Sequence, residues 1–285
     1  MLEINKITKV FGERTVLSNI SFTAQKGQII SVLGRNGSGK TTLFKTILGL
    51  LNPDSGKVLF NGRPLKLHEA GYLPEERSLY YDCPVYRQLK HFGILKGISK
   101  NSIDREVDHW FDRTGTQEYR DTIPLKLSKG NRQKIQLIAA LLANPPLLIL
   151  DEPWTGLDID NTDLFRKLIN EEKRKGKVIL LSSHLHQQVQ QMCDRFIWLN
   201  EGTIQMDVSR REMEESETRV VCATYDKSFY LQDDDIIKEI YLDRQIRYIV
   251  RNNESACRIA GYLRDYPEVV GLEQRKLTIA DLLER

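Results

Sequence analysis

The stretch Gly34-Arg35-Asn36-Gly37-Ser38-Gly39-Lys40-Thr41 has the spacing G-x-x-x-x-G-K-S/T, which suits the binding of nucleotide phosphates. Glycines let the backbone curl until successive N–H groups face one centre, and a helix start adds partial positive charge. Lys40 would then reach the β- and γ-phosphates, and the Thr41 hydroxyl would ligate Mg²⁺. Thr42 is assigned to the same nucleotide site. The apolar run Ile29–Leu33 precedes this loop and an apolar, helix-spaced run from Leu43 to Leu48 follows it, the strand–loop–helix context the motif requires.

A second group is Leu150-Asp151-Glu152-Pro153. An Asp ending a buried strand beside a phosphate loop holds Mg²⁺, directly or through water, and Glu152 faces the place where an attacking water must sit, to orient it and accept its proton. The competing view, a plain loop start, has the apolar run before the pair against it. A third is Ser182-Ser183-His184 after an apolar strand. Ligands gather at the carboxyl ends of parallel strands, so His184 is a candidate partner for the γ-phosphate or the water, although a histidine after a strand is more often a surface residue. Phe11 has a face fit for stacking on adenine, yet by position alone it reads as packing. The acidic run Asp233-Asp234-Asp235 reads as a solvated turn.

These groups need a scaffold. Residues 147–150 and 178–181 are continuous apolar runs, as in strands covered on both faces, and helical spacing follows each at 164–175 and 185–193. Strands alternating with helices imply a parallel α/β sheet. Residues 2–8, 15–23 and 54–63 read as a small antiparallel sheet, the last strand ending on Asn61-Gly62. Between about 84 and 143 the pattern is helical, with helices at 88–95, 103–111 and 132–143. Ser128 is a natural N-cap for the last of these, and Asn144-Pro145-Pro146 stops it. After about residue 205 the chain turns charged. Strands at 220–224, 236–241, 246–250 and 269–273, a helix at 255–265 and a closing helical turn at 279–283 then suffice for a small α+β domain.

Composition sets outer limits. A chain of 285 residues, 40% apolar and 28% charged, is ordinary for a soluble globular protein. A net charge of +3 gives no case for a nucleic-acid partner. No apolar run approaches the roughly 18 residues of a spanning helix, so work at a membrane would need another chain to do the spanning. Cys83, Cys193, Cys222 and Cys257 show no paired spacing and read as free thiols in a reducing cytosol.

Taken together and in order, the phosphate loop, Leu127-Ser128-Lys129-Gly130-Asn131, Leu150-Asp151-Glu152-Pro153, Gly156-Leu157-Asp158 and Ser183-His184 resemble the motifs of ABC transporter ATPase subunits, over about residues 1–205. The resemblance implies an α/β P-loop NTPase cassette at 1–210, with a RecA-like parallel sheet core, an N-terminal antiparallel β-subdomain and a helical subdomain at about 80–143. A small C-terminal α+β domain at 211–285 resembles the one that follows the cassette in drug, antibiotic or sodium exporters. It also implies roles. Phe11 stands where that family keeps its adenine-stacking aromatic. Ser128 and Gly130 complete the ATP site of a second, head-to-tail cassette, a homodimer or a paralogous heterodimer. Asp158 helps couple the two sites.

Two positions depart from the family pattern. Lys129 and Asn131 replace a Gly and a Gln of the usual Leu-Ser-Gly-Gly-Gln, while Ser128 and Gly130, the groups that touch phosphate, remain. In Tyr72-Leu73-Pro74-Glu75-Glu76, Glu75 takes the place of a Gln that senses Mg²⁺ and the membrane partner; a carboxylate is still a Mg²⁺ ligand. The implied protein is an ATP- and Mg²⁺-dependent exporter subunit at the cytoplasmic face of the membrane, moving a polytopic permease through a surface around Glu75, Tyr80, Tyr81 and Tyr86. Two other classes fit less well. Soluble repair or translation ATPases of this superfamily carry long coiled coils or paired cassettes, and non-hydrolysing regulatory modules commonly lack a base like Glu152.

Overall fold

The computed structural model describes residues 1–75, 78–183, 191–226, 231–278 and 280–281. The chain divides into two compact units, Met1–Leu185 with Met192–Asp207, and a second comprising mainly Val208–Arg285. The strands of the first unit are β1 (Leu2–Phe11), β2 (Arg14–Ala24), β3 (Ile29–Leu33), β4 (Ser55–Phe60), β5 (Ala70–Leu73), β6 (Leu147–Leu150), β7 (Val178–Ser182), β8 (Arg195–Asn200) and β9 (Thr203–Ser209). Its helices are α1 (Lys40–Ile47), α2 (Val85–Leu95), α3 (Ile103–Thr114), α4 (Lys129–Leu141) and α5 (Ile159–Arg174).

The uninterrupted apolar runs become β3, β6 and β7, buried along their whole length, as strands covered on both faces must be. They lie within a six-stranded sheet of order β5-β6-β7-β3-β8-β9. Parallel pairing sets Leu73 beside Leu150, Leu150 beside Leu181, and Ser182 beside Val32. The carboxyl ends of β5, β6, β7 and β3 therefore finish side by side. This alignment, made by backbone register alone, brings residues more than a hundred positions apart in sequence to one edge.

The antiparallel sheet β2-β1-β4 shares a core with the parallel one. Leu2, Ile4, Ile7, Leu17 and Phe22 pack with Ile30, Val32, Leu147 and Leu180, and with Leu43, Phe44 and Ile47 of α1. Burial of each such side chain contributes about 1.5–3 kcal/mol. α1 has no side-chain N-cap, so this burial is what holds it in place. Its first turn is left uncapped at the phosphate loop.

Helices α2, α3 and α4 pack on one another. α4 begins where expected, with Ser128 Oγ accepting from the Asn131 N–H at 3.2 Å. α5 begins earlier than its apolar spacing suggests. Asp158 caps it, accepting from the Asn161 N–H at 2.9 Å, and its polar first turn carries no apolar periodicity. Strands β5, β8 and β9 were not expected from sequence; the helices expected at 185–193 and 279–283 fall largely outside the described residues.

In the second unit, β10 (Arg219–Tyr225), β11 (Ile236–Leu242), β12 (Gln245–Val250) and β13 (Val269–Lys276) form an antiparallel sheet of order β11-β12-β10-β13. The helix Asn253–Arg264 covers one face, packing Ala256, Ile259 and Leu263 on Val221, Ala223 and Tyr248. The acidic run is more than a solvated turn. Arg258 of that helix pairs with Asp233 at 2.8 Å and with Asp235 at 2.6 Å, and Ser255 Oγ donates to Asp235 at 2.9 Å. The cysteines are free thiols. Among the described residues no helix is long and apolar enough to cross a membrane.

Candidate functional site

The phosphate loop leaves β3 and enters α1 under tight steric control. A Cβ on Gly34 would lie 2.3 Å from Leu199 O and 2.5 Å from Ser38 Oγ, and Gly39, at φ +108, has no room beside Val16 O and Leu17. Only glycine fits either position. Two residues outside the motif brace the loop. The Gly202 N–H donates to Ser38 O at 3.2 Å, and Gly202 O accepts from the Ser18 N–H at 2.8 Å. Gly202 sits in the turn between β8 and β9, with Glu201 and Gly202 both at positive φ, and a Cβ there would strike Val16 O at 2.4 Å.

Lys40, almost fully buried, folds back over the loop, its Nζ donating to Gly34 O at 2.8 Å and Arg35 O at 3.2 Å. Thr41 Oγ1 donates to Asp151 Oδ2 at 2.7 Å. β3 and β6 are separated by β7 in the sheet, so this bond joins the first turn of α1, which follows β3, to the segment after a strand that is not the neighbour of β3. Ser182, at the end of the intervening strand, donates to Asp151 Oδ1 at 2.5 Å and accepts from the Glu152 N–H at 2.8 Å. Asp151 is fully buried and Glu152 is 6% exposed. Glu152 adopts φ 49, a left-handed conformation that a non-glycine residue holds only when its surroundings impose it.

A cleft of about 450 Å³ opens over this arrangement, lined by Phe11, Arg14, Val16, Asn36, Gly37, Gly39, Lys40, Thr41, Thr42, Glu75 and Glu152. Gly34, Arg35 and Ser38 lie within the loop that forms its floor. Phe11 is 48% exposed, with Lys9 Nζ 5.3 Å from its ring centroid. The packing role its position suggests is thus replaced by a ring set at the cleft. Arg14 and Val16 join it there, and no sequence signal marked either. Glu75 lies two residues after β5, whose neighbour β6 is followed directly by Asp151, which explains why it reaches the same cleft.

The donor set fits a triphosphate with a divalent cation. The loop supplies an uncapped helix start and an ammonium, Ser38 Oγ is buried with no hydrogen-bond partner, and the hard oxygens of Thr41 and Asp151 suit Mg²⁺. Ser128 and Gly130 do not line the cleft. Within one chain the structure therefore does not bring them to the phosphate loop. His184 lies outside the described residues, as does Glu76. The Lys129 stem lies on Gly156, and Asn131 Nδ2 donates to Tyr119 Oη at 2.8 Å, so both departures from the usual signature have local partners.

A second cavity, of about 430 Å³, lies between the Glu75 loop and α4, lined by Glu75, Ser78, Leu79, Tyr81, Pro124, Lys129, Arg132, Gln133 and Gln136. Tyr80 is exposed near Phe92, at 6.2 Å between ring centroids. Tyr86 differs, being stacked on Phe111 with the Arg120 guanidinium 3.6 Å from its ring centroid. Burial, then its bond to Asp104, pushes its hydroxyl up to about 12.

The sequence profile of the ABC transporter family matches residues 17–155. The uncharacterised ABC transporter ATP-binding protein MJ1023 of Methanocaldococcus jannaschii is 41% identical over 201 residues, covering 70% of this chain and 74% of the relative. The lantibiotic transport ATP-binding protein SrtF of Streptococcus pyogenes is 33% identical over 208 residues, covering 72% and 89%. Among solved structures, an ATP-binding subunit of an ABC transporter superposes with TM-score 0.71 at 29% identity, over 75% of this chain and 92% of that one. The dimeric cassette MJ0796 shares the fold, with TM-score 0.68 at 22% identity, over 74% and 99%.

Proposed function

Because this chain belongs to the ABC transporter ATP-binding family and is an ATPase of that family, we propose that it hydrolyses Mg²⁺-ATP between two head-to-tail copies and so moves a separate transmembrane permease. The observation that carries this reading is the Thr41–Asp151 hydrogen bond beside Lys40 and Glu152. It gathers cation ligands, a phosphate-binding ammonium and a carboxylate at one cleft.

In this reading the loop amides and Lys40 bind the phosphates, Thr41 and Asp151 hold Mg²⁺ with Glu75 near by, and Phe11 stacks on adenine. Bound Mg²⁺ neutralises charge on the phosphate oxygens. Glu152 orients the attacking water and takes its proton, and His184 assists at the γ-phosphate. Because Ser128 and Gly130 lie away from their own chain's cleft, they serve the ATP of the second copy. There a hydroxyl and a helix start favour a γ-phosphate. Asp158 couples the two sites.

The cavity between the Glu75 loop and α4, with exposed Tyr80 beside it, receives the permease at the cytoplasmic membrane face. Export is the direction favoured by the small C-terminal unit, which resembles that of exporter subunits; SrtF, named for lantibiotic transport, is in keeping with it. The reading keeps a cassette boundary near residue 210. Purification from detergent-solubilised membranes tests it. Recovery of a polytopic membrane protein with this chain, and ATP turnover abolished by chelating Mg²⁺, are expected. A chain that stays alone, or turns over ATP in excess chelator, contradicts the reading.

A further inference from the structure

Two contacts fasten the beginning of α4 to the stretch that follows Glu152. Gln133 is buried, 6% exposed, and its Nε2 donates to Pro153 O at 3.1 Å. Lys129 lays its aliphatic stem across Gly156, where a Cβ would come within 2.4 Å of Lys129 Cδ and 2.7 Å of Cγ and Cε. A Cβ on Gly130 would lie 3.4 Å from Gly156 O. The first turns of α4 and the segment Pro153–Gly156 thus form one packed block, with Ser128 at one end and Glu152 at the other.

Glu152 is well placed to feel strain in that block. Its backbone is held at φ 49 by surroundings that include the Ser182 bond on its N–H side. Pro153, on its other side, is gripped by Gln133. A small displacement of α4 therefore acts on the Pro153–Trp154 peptide, one residue beyond Glu152, through a directional, buried hydrogen bond, where little solvent is available to replace a lost partner.

We propose that Gln133 and Lys129 are positioning residues that carry contact at Ser128 and Gly130 to Glu152 of the same chain, so that the two ATP sites of the dimer work in concert. The proposal rests on the head-to-tail dimer. There Ser128 touches the nucleotide of one site while Glu152 of the same chain serves the other. Occupancy of one site then sets the base of the second, an equilibrium coupling between distinct sites. Lys129 belongs to this link because it stands where the family usually has a glycine, which has no stem to lay on Gly156.

The test compares ATPase rate against ATP concentration in the parent, Gln133→Met and Lys129→Ala, with ATP-driven dimerisation followed by gel filtration in a Glu152→Gln background. The parent is expected to show a Hill coefficient of about 2, the number of sites. Gln133→Met keeps length and apolar burial but removes the donor. It is expected to bring the coefficient to about 1 and kcat down about fivefold, while ATP binding and dimerisation stay at parental level. Lys129→Ala moves both in the same direction by less. If Gln133→Met fails to fold, Gln133→Glu, of the same shape and without a donor when ionised, takes its place. A parental Hill coefficient and kcat in a folded, dimerising Gln133 variant overturns the proposal, as does a non-cooperative parent. A Glu152→Gln protein that stays monomeric in ATP overturns the dimer itself, a separate and recognisable failure.

Discussion

Ser182 Oγ and Asp151 Oδ1 lie 2.5 Å apart at the ends of adjacent parallel strands, with the Glu152 N–H donating to the same hydroxyl from 2.8 Å. One serine thus orients the carboxylate facing Thr41 and fixes the peptide that carries Glu152. Ser182→Ala leaves a buried N–H and a buried carboxylate oxygen each short of a partner, at a cost of about 1–3 kcal/mol per group. A lower melting temperature and a higher Mg²⁺ requirement for turnover are expected. Thermal melts and a Mg²⁺ titration measure the two, and parental values in both would remove Ser182 from the site.

Glu152→Gln keeps the shape of the side chain and accepts the same backbone conformation, but a carboxamide takes up no proton. ATP binding is expected to persist, hydrolysis to fall by at least about 100-fold, and the ATP-bound dimer to accumulate. Single-turnover kinetics and sedimentation in ATP read both. Parental turnover would refute Glu152 as the base.

Much of this arrangement was legible because it is local in sequence. The phosphate loop, the Asp151–Glu152 pair and the buried strands before them are contiguous, and their chemistry follows from residue type and spacing. What escaped was set by long-range register. Ser182 was visible only as a neighbour of His184, since its bonds run to a strand 31 positions away. β5 is four residues long and contains Gly71, a poor strand former. That glycine is required because a Cβ would meet Ala140 O of α4 at 2.1 Å. Gly202 belongs to no sequence motif, yet it braces Ser38 from across the fold. Phe11 shows the same limit, since position near a strand end says nothing about which surface the ring meets.

Phe11, 48% exposed, contributes little to the core, so Phe11→Ala should leave the melting temperature nearly unchanged. If its ring stacks on the base, ATP affinity should drop by about 1–3 kcal/mol, with Phe11→Tyr restoring it. Titration with a fluorescent ATP analogue gives the answer. Equal affinity in parent and alanine variant would return Phe11 to a packing role.

Lys96 predicts a pH dependence. Its Nζ donates to Ala139 O at 2.7 Å and Ala140 O at 3.3 Å in the last turn of α4, where a cation is favoured by the helix end. Burial outweighs that attraction and, with Lys177 near by, pushes the ammonium down from 10.5 to about 8. Between those values the unfolded chain binds more protons than the folded one. Stability from this group therefore rises with pH across that window, and the penalty is complete below it, on the order of 3 kcal/mol. Lys96→Met should flatten the slope between pH 8 and pH 10 in urea unfolding. Parallel slopes for the two proteins would show that the burial of Lys96 is not what sets the dependence.

Ser128 tests whether the second copy completes the site. In a single chain it caps α4 and stays out of the cleft that Lys40 and Glu152 line. Ser128→Arg therefore has no route to disturb ATP binding by a monomer, beyond the cap itself, whose loss costs about 1 kcal/mol of helix stability. In a head-to-tail pair the same side chain would be driven against the partner's nucleotide, where a serine-sized group and free helix amides are required. Turnover should vanish while monomer ATP affinity holds, and Ser128→Ala, which loses the cap without adding bulk, should keep measurable turnover. The contrast between the two variants separates a lost cap from a blocked interface. If arginine and alanine reduce turnover equally, the effect belongs to the helix and not to a neighbouring copy.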